Sequence, residues 1–345
     1  MIVMRTVKWE GGVVVTVDQT LLPNKEVWIE LRSCNDVVKA IKEMKVRGAP
    51  LIGVLAAYGL ALTAYYSRAK SRDIFLREIE QSANLLRGTR PTAINLFWAI
   101  ERILNIVKSS AGDVEYLKRI VIEEAQRIAD EDIEVNRKIG EYGSELLDDG
   151  DTVLTHCNAG RLATVDYGTA LSVIRVAWEK GKRIKVIATE TRPKLQGARL
   201  TVYELMRDGI PVTLITDNMV GYVMYKGLVD KVIVGADRIV CDAIINKIGT
   251  YTIAALAHEH GIPFYVAAPL STFDLKSSSK DVIIEERPPE EVTNIGGKRI
   301  APPGVAVFNP AFDITPIKYV NAIICERGVL DREKFSEIVE GRWMI

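Results

Sequence analysis

Residues 152–160 read TVLTHCNAG, an apolar, β-branched run that ends in polar residues and a glycine. Runs of the same kind recur downstream, at IKVIAT (184–189), PVTLIT (211–216), KVIVGA (231–236) and PFYVAA (263–268). Segments of helical length separate them, at 164–180, 196–208, 217–228 and 249–260. Apolar strands that alternate with helices are typical of a parallel sheet covered on both faces. With right-handed crossovers, this pattern predicts a Rossmann-like, doubly wound domain.

The chain before this region follows a different pattern. Residues 1–30 alternate short apolar runs with Gly-Gly and Leu-Pro-Asn, which is typical of a small antiparallel β meander. Helical periods then follow, at 35–46, 50–67, 71–87, 92–108 and roughly 113–139. We therefore predict an α/β protein with a mostly helical N-terminal domain (1–145) and a Rossmann-like C-terminal domain (146–345) that carries the catalytic residues. Two late runs, VAVF (305–308) and YVNAIIC (319–325), predict further strands.

The composition argues against several classes of function. Lys and Arg number 45, as do Asp and Glu, so no overall basic field favours nucleic acid or an anionic membrane as a partner. The cysteines are scattered, and the histidines do not join them at zinc-ligand spacing, so we expect neither a disulfide framework nor a metal. The N-terminus lacks the pattern of a signal peptide, which favours the cytoplasm.

One stretch, GAPLIGVLAAYGLALTAYYS (48–67), is uncharged and nearly long enough to span a membrane. It is rich in Gly and Ala, and no second stretch of this kind is present to pair with it. We expect it to form a buried helix that packs closely against its neighbours in the N-terminal domain.

Ligands of open parallel sheets bind beyond the carboxyl ends of the strands, which selects the polar residues after each of the five runs. Two of these residues are candidates for chemistry. Cys157 follows the first run and precedes a loop that opens a helix, where the helix dipole stabilises a thiolate. The alternative is a small buried apolar residue. Asp237 ends KVIVGA, where apolar surroundings favour a protonated carboxyl that can act as a general acid. Its alternatives are a helix N-cap and an ion pair with Arg238.

Other features of this region are weaker. His156 adjoins Cys157, but neighbours on a strand point to opposite faces and would not normally meet. No GxGxxG motif follows any of the runs, which argues against a nicotinamide cofactor.

Three stretches place polar or basic residues just ahead of a predicted helix. They are KVRGAP with Arg47, GTRPTAIN with Arg90, and NKIGTY with Asn246 and Lys247. The backbone N–H groups of a first helical turn, together with an arginine, form a cradle for an anion. A lone arginine at such a place is usually only solvated, but the repetition favours binding of a phosphate or a sugar.

Together these residues resemble the methylthioribose-1-phosphate isomerase family, which is related to the regulatory subunits of translation initiation factor 2B. The resemblance covers nearly the whole chain. It rests on VRGAPLIG (46–53), TRPTAINLFWA (89–99), THCNAG (155–160), ETRPKLQGARLT (190–201), GADRI (235–239), NKIGTY (246–251) and FYVAAPLSTFD (264–274). It implies the two domains predicted above, a homodimer, and a small-molecule sugar phosphate as substrate, with neither a cofactor nor a metal.

The resemblance also implies roles for individual residues. Asp237 would be the proton donor, and Cys157 would assist at the transition state. The substrate would be bound by Arg47, Gly48, Ala49, Arg90, Gln196, Asn246 and Lys247. One departure is Arg161, which stands where many family members carry a small residue and which bears on the choice of substrate more than on the reaction class.

The implied activity is an aldose–ketose isomerisation in methionine salvage, from 5-methylthioribose 1-phosphate to 5-methylthioribulose 1-phosphate. One alternative is isomerisation of a related sugar, ribose 1,5-bisphosphate or 5-deoxyribose 1-phosphate. A second phosphate would need extra cations, which Arg161 or Arg192 could supply. The other alternative is a regulatory subunit of the translation-factor type, which would share the fold but would not need a thiol and a carboxyl at two strand ends.

Overall fold

The computed structural model describes residues 5–90 and 93–342. The chain divides into two compact units, one made of Met1–Arg137 with Ala159–Ser172 and the other of Lys138–Asn158 with Val173–Ile345. The predicted domains, 1–145 and 146–345, stay predictions, and these units differ from them at 138–145 and 159–172. Pro91 and Thr92 of the TRPTAINLFWA motif, and residues 1–4 of the predicted meander, lie outside the described residues.

The first unit opens with the predicted meander. Strands β1 (Val7–Trp9), β2 (Val14–Val17) and β3 (Trp28–Leu31) pair antiparallel in that order. The predicted helices follow as α1 (Cys34–Lys42), α2 (Ala49–Tyr66), α3 (Arg72–Arg87), α4 (Ile94–Ser109) and α5 (Val114–Ser144). The meander and these helices are confirmed, although α1 ends at Lys42, before its predicted end at residue 46, and α5 continues past its predicted end near residue 139.

Helix α2 is the uncharged stretch that raised the question of a membrane. By length and composition it could cross one, but 78% of it is buried within the protein. Its small residues allow this, because the Gly53 backbone lies so close to Asn95 of α4 that a Cβ there would be 2.8 Å from the Asn95 carbonyl oxygen. The expectation of a closely packed core helix is confirmed.

The remaining elements belong to the α/β part of the chain. Its strands are β4 (Thr152–Thr155), β5 (Lys185–Thr189), β6 (Val212–Ile215), β7 (Lys231–Val234), β8 (Arg238–Val240), β9 (Ala243–Lys247), β10 (Phe264–Ala267), β11 (Phe273–Asp274), β12 (Asn294–Ile295), β13 (Lys298–Arg299), β14 (Phe312–Pro316), β15 (Ala322–Cys325) and β16 (Gly328–Asp331). Its helices are α6 (Ala170–Glu179), α7 (Val202–Arg207), α8 (Val220–Tyr225), α9 (Thr250–Glu259), α10 (Glu290–Thr293) and α11 (Arg332–Val339).

The larger sheet has the strand order β16-β15-β10-β7-β4-β5-β6. All neighbours in it are parallel except β16, which pairs antiparallel with β15 at one edge. In chain order the parallel strands run 3-2-1-4-5-6 across the sheet, which is the doubly wound order of dinucleotide-binding domains. The predicted Rossmann-like sheet is confirmed, and the order of its strands reverses between β4 and β7.

Several local predictions were wrong. VAVF (305–308) is not a strand but lies in an irregular segment, in which Phe308 is exposed. The helix predicted over 164–180 starts only at Ala170. A second sheet, with the order β11-β8-β9-β14, was missed. Its strands β8 and β9 form a hairpin with a two-residue turn, and β11 and β14 join this hairpin from more distant parts of the chain.

Candidate functional site

The two candidate residues for chemistry follow the strands at which the order of the sheet reverses. Cys157 comes two residues after β4, and Asp237 comes three residues after β7. The strands are parallel neighbours in which Leu154 pairs with Val232, so their carboxyl ends lie at one edge, roughly 5 Å apart. Ligands of such sheets bind at this position. Both residues are partly exposed.

Cys157 has a strained backbone. Its φ is +63°, in the left-handed region that costs a non-glycine residue about 1–3 kcal/mol and recurs at functional sites. Hydrogen bonds hold it there, because its N–H donates to Thr191 Oγ1 (2.9 Å) and its carbonyl accepts from Thr201 Oγ1 (2.6 Å). The prediction that the loop after Cys157 opens directly into a helix was wrong, because a 3-10 turn over Arg161–Ala163 comes first. A chain-adjacent helix dipole therefore does not account for a thiolate here.

The loop after β5 is strained in the same way. Thr191 also has a φ of +63°, which is rarer still for a β-branched residue. Asp217, which follows β6, holds this loop by accepting from the Thr191 N–H (2.8 Å) and the Arg192 N–H (2.6 Å). The same loop leads to Gln196, which is 3% exposed. Among the described residues, none hydrogen-bonds to Gln196 Oε1. A buried amide oxygen of this kind is suited to accept from a substrate hydroxyl.

His156 is buried at the end of β4, and neither of its ring nitrogens is available to Cys157. Nε2 lies 2.8 Å from the Ile248 carbonyl oxygen, and Nδ1 lies 2.6 Å from Thr189 Oγ1. A carbonyl only accepts, so Nε2 carries the hydrogen. Burial lowers the pKa of His156, which keeps the ring neutral with Nδ1 as an acceptor. This geometry agrees with the expectation that the two neighbours do not form a nucleophile–base pair.

Asp237 lies in the turn between β7 and β8, where its N–H donates to the Ile245 carbonyl of β9 (2.9 Å). The alternative that it caps a helix was wrong, because the chain continues into a strand. Its neighbour Arg238 forms an ion pair with Asp274, with Nε 3.0 Å from Oδ2. The hairpin of β8 and β9 was not predicted, and it brings Asn246 and Lys247 back towards the same turn.

Asn246 and Lys247 end β9, just before α9. Asn246 Nδ2 donates to Thr250 Oγ1 (3.0 Å). Lys247 Nζ donates to the Ala311 carbonyl (2.7 Å) and lies 4.7 Å from the centre of the Phe312 ring. These contacts fix the extended lysine side chain in one position.

The start of α9 already holds a carboxylate that the sequence did not indicate. Asp313 Oδ2 accepts from the Gly249 N–H (2.7 Å) and the Tyr251 N–H (3.1 Å). Burial raises the pKa of Asp313 to about 6. The backbone N–H groups of Gly249 and Tyr251 are therefore occupied by a carboxylate of the protein, and substrate binding by Asn246 and Lys247 stays a prediction for their side chains. Only the pairing of β14 with β9 brings Asp313 there.

The remaining predicted binding residues lie in the first unit. Gly48 has a φ of +105°, and α2 begins directly after it at Ala49, with Arg47 just ahead. In the described structure no side chain caps this helix start, and its first turn holds no acidic residue. Arg90 follows the end of α3 and is partly buried. The uncapped helix start is compatible with an anion cradle at the KVRGAP motif, and phosphate binding there stays a prediction.

Arg161, the departure from the family pattern, is part of the fold of the first unit. Its side chain is buried, with Nε 3.3 Å from Asp166 Oδ1. Its carbonyl accepts from Thr6 Oγ1 (2.7 Å). The charge of Arg161 is therefore balanced by a carboxylate of the same unit.

Comparisons with known proteins agree with this fold. The sequence profile of the initiation factor 2 subunit family matches residues 45–332. A methylthioribose-1-phosphate isomerase of Thermosipho africanus is 56% identical over 327 residues, which cover 94% of each chain. The solved structure of 5-methylthioribose 1-phosphate isomerase from Pyrococcus horikoshii has a TM-score of 0.91 and 48% identity, and it covers 99% of this chain and 96% of its own.

A further solved structure carries a different name. It is described as the delta subunit of translation initiation factor eIF-2B from A. fulgidus, and it has a TM-score of 0.87 and 54% identity, covering 97% of this chain and 99% of its own. With a profile match over most of its length and relatives about half identical over nearly all of it, this protein belongs to the initiation factor 2 subunit family, alongside proteins named methylthioribose-1-phosphate isomerase.

Proposed function

We propose that this protein is an aldose–ketose isomerase that converts 5-methylthioribose 1-phosphate into 5-methylthioribulose 1-phosphate, a step of methionine salvage. The observation that carries the proposal is the position of Cys157 and Asp237 after β4 and β7, where the strand order reverses. The names of relatives more than half identical to this chain supply the substrate.

The first step is opening of the sugar ring. Because C1 is esterified with phosphate, the ring cannot open to a free aldehyde. Asp237 gives its proton to the ring oxygen while the bond from that oxygen to C1 breaks, and the phosphate stays on C1. This role requires that the Asp237 carboxyl is protonated when the substrate binds.

The second step moves hydrogen from C2 to C1, and two routes are open. In one, the C2 hydrogen shifts to C1 with its electron pair. In the other, Cys157 as a thiolate removes the C2 proton and a proton is then delivered to C1. In both routes the C2 hydroxyl becomes a carbonyl, and the proton it loses restores the acid. The strained, hydrogen-bonded backbone at Cys157 supports a position next to the reacting carbon.

The remaining residues bind the substrate. Arg47, Gly48 and Ala49 hold the phosphate with the N–H groups at the start of α2, and Arg90 adds a second cation. Gln196 accepts from a sugar hydroxyl, since its buried Oε1 lacks a partner within the described chain. Asn246 and Lys247 orient the sugar.

We also propose that the protein is a cytoplasmic homodimer. Strand β6 ends the larger sheet on one side, and its Leu214 is exposed. Helix α8, next along the chain, exposes Tyr222 and Tyr225 (73%). Exposed apolar side chains on an unpaired sheet edge are typical of a subunit contact. Tyr225→Glu should sediment as a monomer and Tyr116→Glu, in the first unit, as a dimer. A dimeric Tyr225→Glu would contradict the assignment.

The activity is tested with substrate carrying deuterium at C2. Purified protein should form the ketose, which nuclear magnetic resonance detects directly. Deuterium retained at C1 in ordinary water indicates the hydride route, and exchange with water indicates the proton route. Absence of ketose would contradict the proposed function.

The choice of substrate is tested by comparing kcat/KM on three sugars. We expect 5-methylthioribose 1-phosphate to exceed ribose 1,5-bisphosphate and 5-deoxyribose 1-phosphate. A second phosphate needs further cations, but Arg161 is paired with Asp166, and Arg192 donates to the Val292 carbonyl (2.8 Å). A higher kcat/KM for the bisphosphate would reverse this order.

The second candidate is a regulatory subunit of the initiation factor 2B type. The name of the A. fulgidus structure favours it. The strained backbone at Cys157 and the buried amide of Gln196 favour an enzyme instead. A protein that binds initiation factor 2 in a pull-down but forms no ketose from any of the three sugars would support the regulatory subunit.

A further inference from the structure

We infer that His156 is a positioning residue that joins the Cys157 loop to the Asn246–Gly249 turn and so sets the distance between the two halves of the sheet-edge site. The inference rests on the proposed function. His156 touches neither the thiol nor the substrate in this assignment. It acts through two hydrogen bonds, one at each ring nitrogen. The bond at Nε2 reaches the Asn246–Gly249 turn, and the bond at Nδ1 reaches the Cys157 loop through two threonine hydroxyls.

The first arm leads to the turn that carries the substrate-binding pair. His156 Nε2 donates to the Ile248 carbonyl (2.8 Å), directly after Lys247. The turn lies against the ring, because a Cβ at Gly249 would be 3.1 Å from Nε2 and Cε1. Asp313 holds the other side of the turn through the Gly249 N–H (2.7 Å). Hydrogen bonds to the His156 imidazole and to the Asp313 carboxylate therefore hold the turn on both sides.

The second arm leads to the thiol loop through two hydroxyl groups. Nδ1 accepts from Thr189 Oγ1 (2.6 Å), which can in turn accept from Thr191 Oγ1 (3.2 Å). Thr191 Oγ1 accepts from the Cys157 N–H (2.9 Å). With a neutral ring that carries its hydrogen on Nε2, all three bonds can run in one direction, from the Cys157 N–H through the Thr191 and Thr189 hydroxyls to Nδ1.

The second arm ends at Cys157 and Thr191, whose backbone conformations are strained. Cys157 and Thr191 both have a φ of +63°, and each would relax towards an ordinary conformation without its hydrogen bonds. A displacement of about 1 Å in a reacting group lowers the rate by roughly a hundredfold. Loss of the second arm should therefore affect the rate of the chemical step more than substrate binding.

The two arms can be cut separately. In His156→Gln the amide nitrogen can still donate to Ile248, but the acceptor for Thr189 is lost. In His156→Asn the shorter amide can accept from Thr189, but the donor to Ile248 is lost. Thr191→Val removes the link to Cys157, and Thr191→Ser keeps the hydroxyl. Thr315→Val is a matched control, since Thr315 is also fully buried and none of the described residues bonds to its hydroxyl.

We expect His156→Gln and Thr191→Val to lower kcat by about 10- to 100-fold with little change in KM. Thr191→Ser should restore most of the kcat lost in Thr191→Val. His156→Asn should mainly raise KM, by roughly tenfold, because the Lys247 turn is released. Alkylation of Cys157 by iodoacetamide, followed on its own peptide because Cys241 is also partly exposed, should be several-fold faster in His156→Gln and Thr191→Val.

Unchanged kcat and unchanged alkylation of Cys157 in folded His156→Gln and Thr191→Val would overturn the inference. The inference would also be overturned if all the variants, Thr315→Val included, lost the same thermal stability while the folded protein kept its kcat in each. If the wild-type protein forms no ketose, the proposed function fails, and the alkylation rates still decide whether His156 positions Cys157.

Discussion

Helices α2 and α9 start in the same way but differ in whether a side chain of the protein caps their first turn. Each follows a glycine with a φ of +105°, Gly48 in one unit and Gly249 in the other. At α9 the Asp313 carboxylate accepts from the first N–H groups. At α2 no described side chain caps the helix, and Arg47 stands just ahead of it. A helix start attracts an anion, so α9 is satisfied by the protein itself and α2 is suited to a ligand.

This difference separates two motifs that look alike in the sequence. Both were predicted to hold a phosphate, and the occupied N–H groups at α9 make the α2 start the better candidate for that role. In the proposed function Asn246 and Lys247 bind the substrate through their side chains, and Cys157 and Asp237 at the neighbouring strand ends carry out the chemistry. The variants below test this division of binding from chemistry, beginning with the largest expected effect.

The largest effect is expected at Asp237. Asp237→Asn keeps the size of the side chain but removes the proton for the ring oxygen, so kcat should fall by about 10³-fold or more. KM should stay nearly unchanged if the helix starts and the other side chains supply the binding. Steady-state kinetics on 5-methylthioribose 1-phosphate measures both. A normal kcat would show that Asp237 is not the acid.

The two glycines form a matched pair for stability. An added Cβ at Gly48 would be 2.5 Å from the backbone Cα of Ala163, which cannot move cheaply, whereas at Gly249 it would be 3.1 Å from the His156 ring. Both changes strain a positive φ, at about 1–3 kcal/mol. We expect Gly48→Ala to lower the free energy of unfolding by at least about 3 kcal/mol and Gly249→Ala by less. Urea denaturation compares them, and equal losses would contradict the difference in packing.

Asp313 should make stability depend on pH. Its pKa is raised from an ordinary value of 3.8 to about 6 by burial, so the folded protein binds a proton more tightly than the unfolded chain. Stability from this group is therefore full below pH 4 and is lost as the pH rises through about 6. Relative to Asp313→Asn, the wild type should lose up to about 3 kcal/mol between pH 4 and 7. Urea denaturation measures this at each pH. A difference in the free energy of unfolding between wild type and Asp313→Asn that stays constant from pH 4 to 7 would contradict the prediction.

The smallest effect is expected at Arg47. Arg47→Gln removes one charged partner of the phosphate, at about 1.5–3 kcal/mol, so KM should rise by roughly 10- to 100-fold with kcat largely kept. Arg72→Gln, an arginine at the start of α3 in the same unit, is the control and should leave KM unchanged. If Arg47→Gln lowers kcat instead of raising KM, the α2 start takes part in the chemistry and the division proposed here is wrong.

The sequence predicted most of the elements because their signals are local. Helix α2 shows as an uninterrupted apolar stretch, and β4, β5, β6, β7 and β10 show as short apolar runs bounded by polar residues. The rule that ligands bind beyond the carboxyl ends of parallel strands then selected Cys157 and Asp237. Cys157 and Asp237 are neighbours because β4 and β7 are adjacent in the sheet. The alternation of strands and helices in the sequence limits the possible strand orders but does not identify this one.

The sequence alone therefore determined the two kinds of fold along the chain, the family, and the candidate residues at the strand ends. Only the tertiary structure decided that a carboxylate of the protein occupies the start of α9, because Asp313 reaches Gly249 from 64 residues away. In the same way it decided that Arg161 pairs with Asp166 and that His156 bonds to Thr189 and Ile248. Local periods record which face of an element is buried, whereas the partner of a buried polar group depends on which distant segments the folded chain brings together.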